Sequence, residues 1–367
     1  MADTIRVILV DPSDALRGRL AEALAGEEDI RVASAFRNQA EAYQALESMR
    51  PDVVVLDVEM RDGITLLMNI QDYNAEHPER QDIGVILIAR RDIRDADMTI
   101  IALESGAFDF VVKPEDASGT SVVDSLARQL RVKLRHYSSQ RLISNMSSPP
   151  PRHKEPIRAA KPVPTPVPAK GAGAIRAVCI GVSTGGPKVL ASILPELCRR
   201  VDLPVLIVQH MPPNFTSSLA SSLDDKCGHT VKEAQDRETV EPRTIYIAPG
   251  GRHMKLARNS TGRAIIRVTD EAPEHGCRPS VNVLFRSAAQ VFGSRTLAVV
   301  LTGMGTDGAG ALGELKSTGA YIIAQDRSSS VIWGMPGSAV ATGLVDKVLP
   351  ASGIPVEIEH VAKGGQP

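Results

Sequence analysis

The sequence has no CxxC pair, no Cys/His ligand spacing and only four cysteines in 367 residues, Cys179, Cys198, Cys227 and Cys277, all in the second half. That pattern offers neither a disulfide framework nor a structural zinc site, and reduced thiols in the cytoplasm are the simplest expectation. There is also no excess of one charge. The 42 basic and 43 acidic residues leave a net charge of -1, which gives no global electrostatic reason to expect nucleic acid or an acidic membrane as the main partner. No apolar run is long enough to span a bilayer, so membrane insertion is not expected. The opening residues, from Met1 to Arg6, lead straight into a short apolar strand without the apolar region and cleavage site of a signal peptide, which predicts a cytoplasmic location.

What is present is the composition of a soluble globular protein, 43% hydrophobic and 23% charged, in a chain too long for one ordinary core. Eight prolines fall between Pro149 and Pro168, and between Arg152 and Lys170 five basic residues face one acidic, followed by Gly171-Ala172-Gly173. Such a stretch cannot pack a core, and it predicts an extended linker that serves as a solvated spacer. The expected division is a first domain over residues 1–138, a Pro-rich linker over 139–174, a second domain over 175–352 and a frayed tail over 353–367.

Before the linker, the apolar runs Ile5–Val10, Val53–Leu56, Val85–Ile88 and Phe110–Val112 alternate with amphipathic stretches, such as the one through Leu16, Leu20 and Leu24. After it the same rhythm returns, with runs at Ala177–Val182, Val205–Gln209, Thr244–Ala248, Leu297–Leu301 and Tyr321–Ala324. This alternation predicts an α/β fold of two doubly wound parallel-sheet domains.

Gly181-Val182-Ser183-Thr184-Gly185-Gly186-Pro187 lies between a strand and a helix whose apolar positions are Leu190, Ile193, Leu194 and Leu197. That is the strand, sharp turn and helix setting of a nucleophile elbow, in which small neighbours leave Ser183 standing exposed. Pro187 suits the first helical turn, and the helix N-terminus favours a developing oxyanion. A Gly-rich turn whose serine merely caps the helix is the plainer alternative. Serine needs a base, and the strand Val205–Gln209 delivers His210 at its carboxyl end. His229, His253 and His275 compete, with His253 the most serious because it too follows a strand and a turn. The carboxylate that would orient the imidazole is expected at Asp307, in the loop Thr302-Gly303-Met304-Gly305-Thr306-Asp307-Gly308. Alone, Asp307 could instead cap a helix starting near Ala309.

Together the segments Gly181–Pro187, Gln209–Thr216, Ile247–Gly251, Arg278–Val281, Leu301–Gly308 and Gly334–Pro336 closely resemble the catalytic domain of the chemotaxis protein-glutamate methylesterases, the CheB family. The resemblance covers nearly all of residues 175–350. It implies a three-layer α/β/α esterase with Ser183 as nucleophile, His210 as general base and then acid, and Asp307 as the orienting carboxylate. It also implies an oxyanion hole from the backbone N–H groups of Thr184 and Met304, and hydrolysis of glutamyl methyl esters on the cytoplasmic helices of chemoreceptors, with deamidation of receptor glutamines as a second reaction. No cofactor is implied for catalysis. Asn282 stands where the family usually has Asp, and the expected consequence is a change in loop packing or substrate contact.

The N-terminal half resembles a two-component receiver domain, which implies a flavodoxin-like fold, phosphorylation of Asp57 by a histidine kinase, and a pocket built from Asp11, Asp57 and Lys113 in which Asp11 and Asp57 would hold Mg2+. Three departures stand out. Pro12 replaces the second acidic residue after the first strand, with Asp14 the nearest substitute; Ala89 replaces the switch serine or threonine; and the loop from Asp57 to Gly63 reads as about two residues short. Weak or altered coupling of phosphorylation to activity is the expectation, with a constitutive steric cover or a docking module, contacting partners through Arg90 and Arg91, as the alternative. Two further readings stand beside the methylesterase: a non-enzymatic signalling adaptor and a general small-molecule esterase.

Overall fold

Along Ile5–Val10 (β1), Val7 and Leu9 enter one apolar cluster and Ile8 and Val10 another. A strand buried on both faces, with side chains alternating between two cores, is what a central parallel strand requires. The structure is a computed structural model and describes residues 4–60, 63–114, 120–146 and 174–364. The linker segment 147–173 and the end of the shortened loop, residues 61–62, lie outside the described residues.

The first domain runs from β1 through α1 (Asp14–Ala25), β2 (Ile30–Phe36), α2 (Gln39–Met49), β3 (Val53–Asp57), α3 (Gly63–Glu76), β4 (Gly84–Ala89), α4 (Ile93–Glu104) and β5 (Asp109–Val112) to α5 (Thr120–Met146). Its five strands are all parallel, in the order β2-β1-β3-β4-β5. The order reverses between β1 and β3, where a doubly wound sheet opens a crevice at its carboxyl end. Asp11 and Asp57 lie there. Local signals start the helices: Ser13 caps α1, Asp92 caps α4, and Asn38 and Glu41 hydrogen-bond in both directions across the first turn of α2.

The second domain comprises β6 (Ala177–Val182), α6 (Gly186–Arg200), β7 (Val205–Gln209), α7 (Phe215–Asp224), β8 (Thr230–Glu233), β9 (Thr244–Ile247), β10 (His253–Arg258), β11 (Ala264–Thr269), α8 (Val281–Phe292), β12 (Thr296–Val300), α9 (Leu312–Ser317), β13 (Tyr321–Gln325), α10 (Met335–Ala341), β14 (Lys347–Leu349) and α11 (Ile354–Ala362). Seven parallel strands form one sheet in the order β14-β13-β12-β6-β7-β9-β8, and β10 and β11 form an antiparallel hairpin. Val178, Ile180 and Val182 pack with α6, α7 and α11 on one face, while Ala177 and Cys179 pack with α8, α9 and α10 on the other. The result is the α/β/α layering expected from the sequence. Its switch point falls between β6 and β12.

The domain limits need two corrections. The helix α5 runs on to Met146, past the expected end of the first domain at residue 138. The expected tail at 353–367 instead carries α11. Ile354 and Ile358 on it are fully buried, and Glu359 pairs with Arg200 of α6 at 2.6 Å, so this segment closes one face of the second domain. No helix among the described residues is long and apolar enough to cross a membrane.

The two domains meet through α4, β5 and α5 of the first and the carboxyl end of the second. Phe110 stacks on Phe215 with ring centroids 4.7 Å apart, and Glu104 accepts from Lys226 and Ser222 at 2.7 and 3.0 Å.

Candidate active site

Ser183 follows β6 directly, and its backbone is clamped from three sides. Its N–H donates to the Thr302 carbonyl at 3.0 Å, its own carbonyl accepts from the Gln209 side chain at 2.9 Å, and the next carbonyl, of Thr184, accepts from Thr302 Oγ1 at 3.0 Å. Gly185 takes φ +78°, which a side chain would strain, and α6 then begins with Pro187 in its first turn. Across the crevice, a Cβ on Gly303 would stand 2.7 Å from the Ser183 Cβ, so the loop after β12 can approach the serine this closely only as glycine. Neither the Thr184 nor the Met304 N–H donates to a protein acceptor among the described residues.

His210 follows β7, and its Nε2 lies 2.8 Å from Asp307 Oδ2. Asp307, on the loop after β12, is buried and accepts five hydrogen bonds. Oδ2 takes His210 Nε2 and the Val281 N–H at 2.7 Å; Oδ1 takes Ser280 Oγ at 2.9 Å and the N–H groups of Asn282 and Gly308, both at 3.0 Å. Three of these donors belong to the N-terminus of α8, where free N–H groups and the helix dipole favour an anion. Burial pushes the Asp307 carboxyl up, but His210 and the N–H groups of Asn282 and Val281 outweigh it and hold the group below its ordinary range. An ionised carboxylate only accepts, so Nε2 carries the proton of this contact and Nδ1 remains the basic nitrogen. Burial lowers the His210 imidazole, yet Asp307 and the nearby Cys277 sulfur more than offset this and raise it to about 9. Among the described residues Ser183 Oγ makes no hydrogen bond, a looseness common in catalytic groups before substrate arrives.

None of the competing histidines lines the cavity at Ser183. His253 is buried with Nε2 3.1 Å from the Ala272 carbonyl, His229 is buried beside Asp202 at 3.7 Å, and His275 sits in a turn at φ +49°. Asp307 does not cap the segment that begins at Ala309; Asn282 holds that turn, its Oδ1 accepting from the N–H groups of Gly308 and Ala311, both at 3.0 Å. Asn282 thus packs this loop. Thr302, Gln209, Gln325, whose side chain accepts from the Thr302 N–H at 2.8 Å, and Ser280 are positioning residues that the sequence reading left without a role. All but Gln325 lie inside the quoted motifs, which is the available signal.

The first domain covers this crevice. A cavity of about 190 Å3 is bounded by Ser183, Thr184 and His210 on one side and by Asp109, Phe110 and Lys133 on the other. Asp109 Oδ2 accepts from Thr184 Oγ1 at 2.7 Å and from Lys133 Nζ at 2.6 Å. A residue of the first domain thus bonds directly to the neighbour of Ser183.

In the crevice of the first domain, Asp57 is fully buried, its Oδ2 accepting from Lys113 Nζ at 2.6 Å and its Oδ1 from the Glu59 N–H at 2.8 Å. Asp11 Oδ1 accepts from the Ser13 N–H at 2.7 Å, whereas its Oδ2 is buried without a partner among the described residues. Burial and the neighbouring Asp57 raise the Asp11 carboxyl to about 6. An orphaned carboxylate oxygen beside a second carboxylate fits a hard cation, and Mg2+ commonly takes only one or two carboxylates and keeps its waters. Asp14 does not replace the acid missing at Pro12; its side chain is 78% exposed and pairs with Arg17. Ala89 presents no hydroxyl, and Arg90 pairs with Glu59, Asp92 and Asp95. Arg91 offers its carbonyl to Asn214 of the second domain, so part of the surface expected to meet other proteins is an internal contact.

A doubly wound sheet laid over a crevice that holds a serine, a histidine and a carboxylate points to the class of two-domain serine hydrolases. Comparison with known proteins gives the family. The CheB methylesterase family matches residues 178–358 and the response regulator receiver domain family residues 7–120. Proteins named protein-glutamate methylesterase/protein-glutamine glutaminase are 37% identical in Desulfotalea psychrophila, over 98% of this chain and 99% of theirs, and 36% identical in Pyrococcus horikoshii, over 100% and 96%. The crystal structure of the Thermotoga maritima CheB methylesterase catalytic domain is 41% identical and aligns over 52% of this chain and all of that one, with a TM-score of 0.50. The chain belongs to the CheB methylesterase family, with a receiver domain preceding its methylesterase domain.

Proposed function

We infer that this protein is a cytoplasmic protein-glutamate methylesterase, which hydrolyses glutamyl methyl esters on the cytoplasmic helices of chemoreceptors and deamidates receptor glutamines by the same chemistry. The observation that carries the reading is the 2.8 Å contact between His210 Nε2 and Asp307 beside the Ser183 elbow. Because Asp307 holds Nε2, Nδ1 is the nitrogen that takes the Ser183 proton as Oγ attacks the ester carbonyl. The N–H groups of Thr184 and Met304 stabilise the resulting oxyanion, each donor contributing roughly 100- to 1000-fold in rate. His210 returns its proton to the departing methoxide, methanol leaves, and an acyl-enzyme remains on Ser183. Water, deprotonated by the same Nδ1, then releases the glutamate carboxylate. An amide follows the same path with ammonia as leaving group.

The first domain acts as a receiver for phosphate from a histidine kinase at Asp57. Asp11 and Asp57 would hold Mg2+, which when bound screens the charge brought together in phosphoryl transfer. Lys113, just after β5, pairs with the phosphoryl group, while Asp109 and Phe110 in the same strand face the catalytic crevice, so one short strand joins the two sites. Unphosphorylated, the receiver shields Ser183. Ala89 favours a second reading, a constitutive cover, since no hydroxyl at that position can follow the phosphoryl oxygen. Methanol release from methylated receptor membranes, with and without a small-molecule phosphodonor, separates the two. Stimulation that disappears in Asp57→Ala supports a working switch, and indifference of the wild type supports a fixed cover.

A further inference from the structure

Cys277 neither attacks nor transfers a proton in the chemistry above, yet its sulfur, a His210 ring nitrogen and an Asp307 oxygen all lie within 4.8 Å of one another. No other group of three His, Cys, Asp or Glu side chains among the described residues is placed to hold a metal ion. The three come from separate segments: Cys277 from the turn before α8, His210 from the end of β7 and Asp307 from the loop after β12. The backbone of Cys277 is fixed, exchanging hydrogen bonds with Glu274 at 2.9 and 3.1 Å, and its side chain is only half-buried, open to an arriving ion.

One nitrogen, one sulfur and one oxygen donor form a mixed set unsuited to Mg2+ or Ca2+, which want oxygen throughout. Zn2+ suits it. That ion binds thiolate at about 2.3 Å and imidazole or carboxylate at about 2.0 to 2.2 Å in a tetrahedron, and commonly accepts three protein ligands and one water. Two ligands on such an ion stand about 3.5 Å apart, so closing the present cluster needs side-chain shifts on the order of 1 Å.

We propose that Cys277, His210 and Asp307 form an inhibitory site for Zn2+, in which the ion takes the Cys277 thiolate, one His210 ring nitrogen and one Asp307 oxygen and so halts the esterase. Binding releases the thiol proton of Cys277 to solvent. If Nδ1 ligates, the lone pair that should receive the Ser183 proton is occupied; if Nε2 ligates, its proton also leaves and the contact with Asp307 is replaced by metal. Either arrangement removes the base. The inhibition rests on His210 being that base, whereas the binding does not.

The test uses the full chain, freed of metal with chelator. Equilibrium dialysis against Zn2+ counts bound ion, Co2+ in its place reports sulfur ligation through a near-ultraviolet thiolate-to-metal band, and methanol release is followed over a zinc titration. The wild type is expected to bind one equivalent, to show the cobalt band and to lose turnover until chelator restores it. In Cys277→Ala the equivalent and the band disappear, and the zinc concentration for half-inhibition rises at least about tenfold, the loss that even an outer-sphere partner of a metal causes. Absence of bound zinc in the wild type overturns the proposal. So does a band that survives Cys277→Ala but vanishes in Cys198→Ala, which would assign the metal to the neighbouring pair Cys198 and Cys227. Cys277-dependent binding with undiminished turnover overturns the inhibition. Failure of the metal-free wild type to release methanol would instead count against the esterase reading, with the binding result still in hand.

Discussion

Asp307 shows how much of this site is held by groups remote in sequence. Its carboxylate stays ionised in a buried place because the start of α8 supplies donors from Ser280, Val281 and Asn282, and the ionised form in turn fixes the proton on His210 Nε2. Turnover requires neutral Nδ1, so activity should rise with pH as the raised imidazole gives up its proton. Asp307→Asn removes the charge that raises it. Its residual activity, lower by about 10^4 where the equivalent change has been made in a serine protease, should rise at lower pH than the wild type; a pH-rate profile checks both statements, and an unmoved profile would contradict them. Asn282→Ala leaves the Ala311 N–H without its acceptor and the Gly308 N–H with Asp307 alone, and should cost about 1 to 3 kcal/mol of stability, measured by urea unfolding. Asp11 gives a prediction of opposite sign. Its folded pKa, raised to about 6, lies above the unfolded value, so the folded state holds a proton that the unfolded state gives up, and stability falls as pH rises from about 4 to 6. Above that window the charged carboxylate is a fixed cost in the absence of divalent ions. Asp11→Asn should therefore stabilise the protein at pH 7 in chelator by up to about 3 kcal/mol, and a destabilised variant would show that the burial is compensated.

At the scale of elements, the strands that carry the site were legible because central parallel strands are buried on both faces and read as unbroken apolar runs. Those at Ala177–Val182 and Val205–Gln209 fall where the sequence puts them, and each is followed directly by the residue expected to act. The edges were not legible. Strands β8 (Thr-Val-Lys-Glu) and β14 (Lys-Val-Leu) are short and carry charge, as edge strands do, and leave no apolar run to find. The β10–β11 hairpin did leave a signal, with Met254 and Leu256 buried on either side of Lys255, an alternation of period two that a search for continuous runs passes over. In α11 the spacing of Ile354 and Ile358 is helical, but the segment is short and ends in Gly-rich sequence, which reads as a tail. Contacts to Asp307 reach back 25 to 27 residues and those of Thr184 to Asp109 reach back 75, and no local pattern announces either.

In the whole molecule, the two domains share one apolar cluster along α4 and α7, and nearest the serine the cover is made by Phe110 stacked on Phe215 and Asp109 bonded to Thr184. Phe110→Ala should raise the turnover of unphosphorylated protein about fivefold or more, the low end of ordinary coupling between sites. Equal or lower turnover, with the variant folded by circular dichroism, would mean that the cover does not limit access.

Methanol release from methylated receptor membranes by the wild type and Ser183→Ala tests the central claim most directly. The account predicts steady release by the wild type and its loss, down to the residual level left by binding and oxyanion stabilisation alone, in the variant. Undiminished release by folded Ser183→Ala would contradict the assignment of the serine and the mechanism built on it.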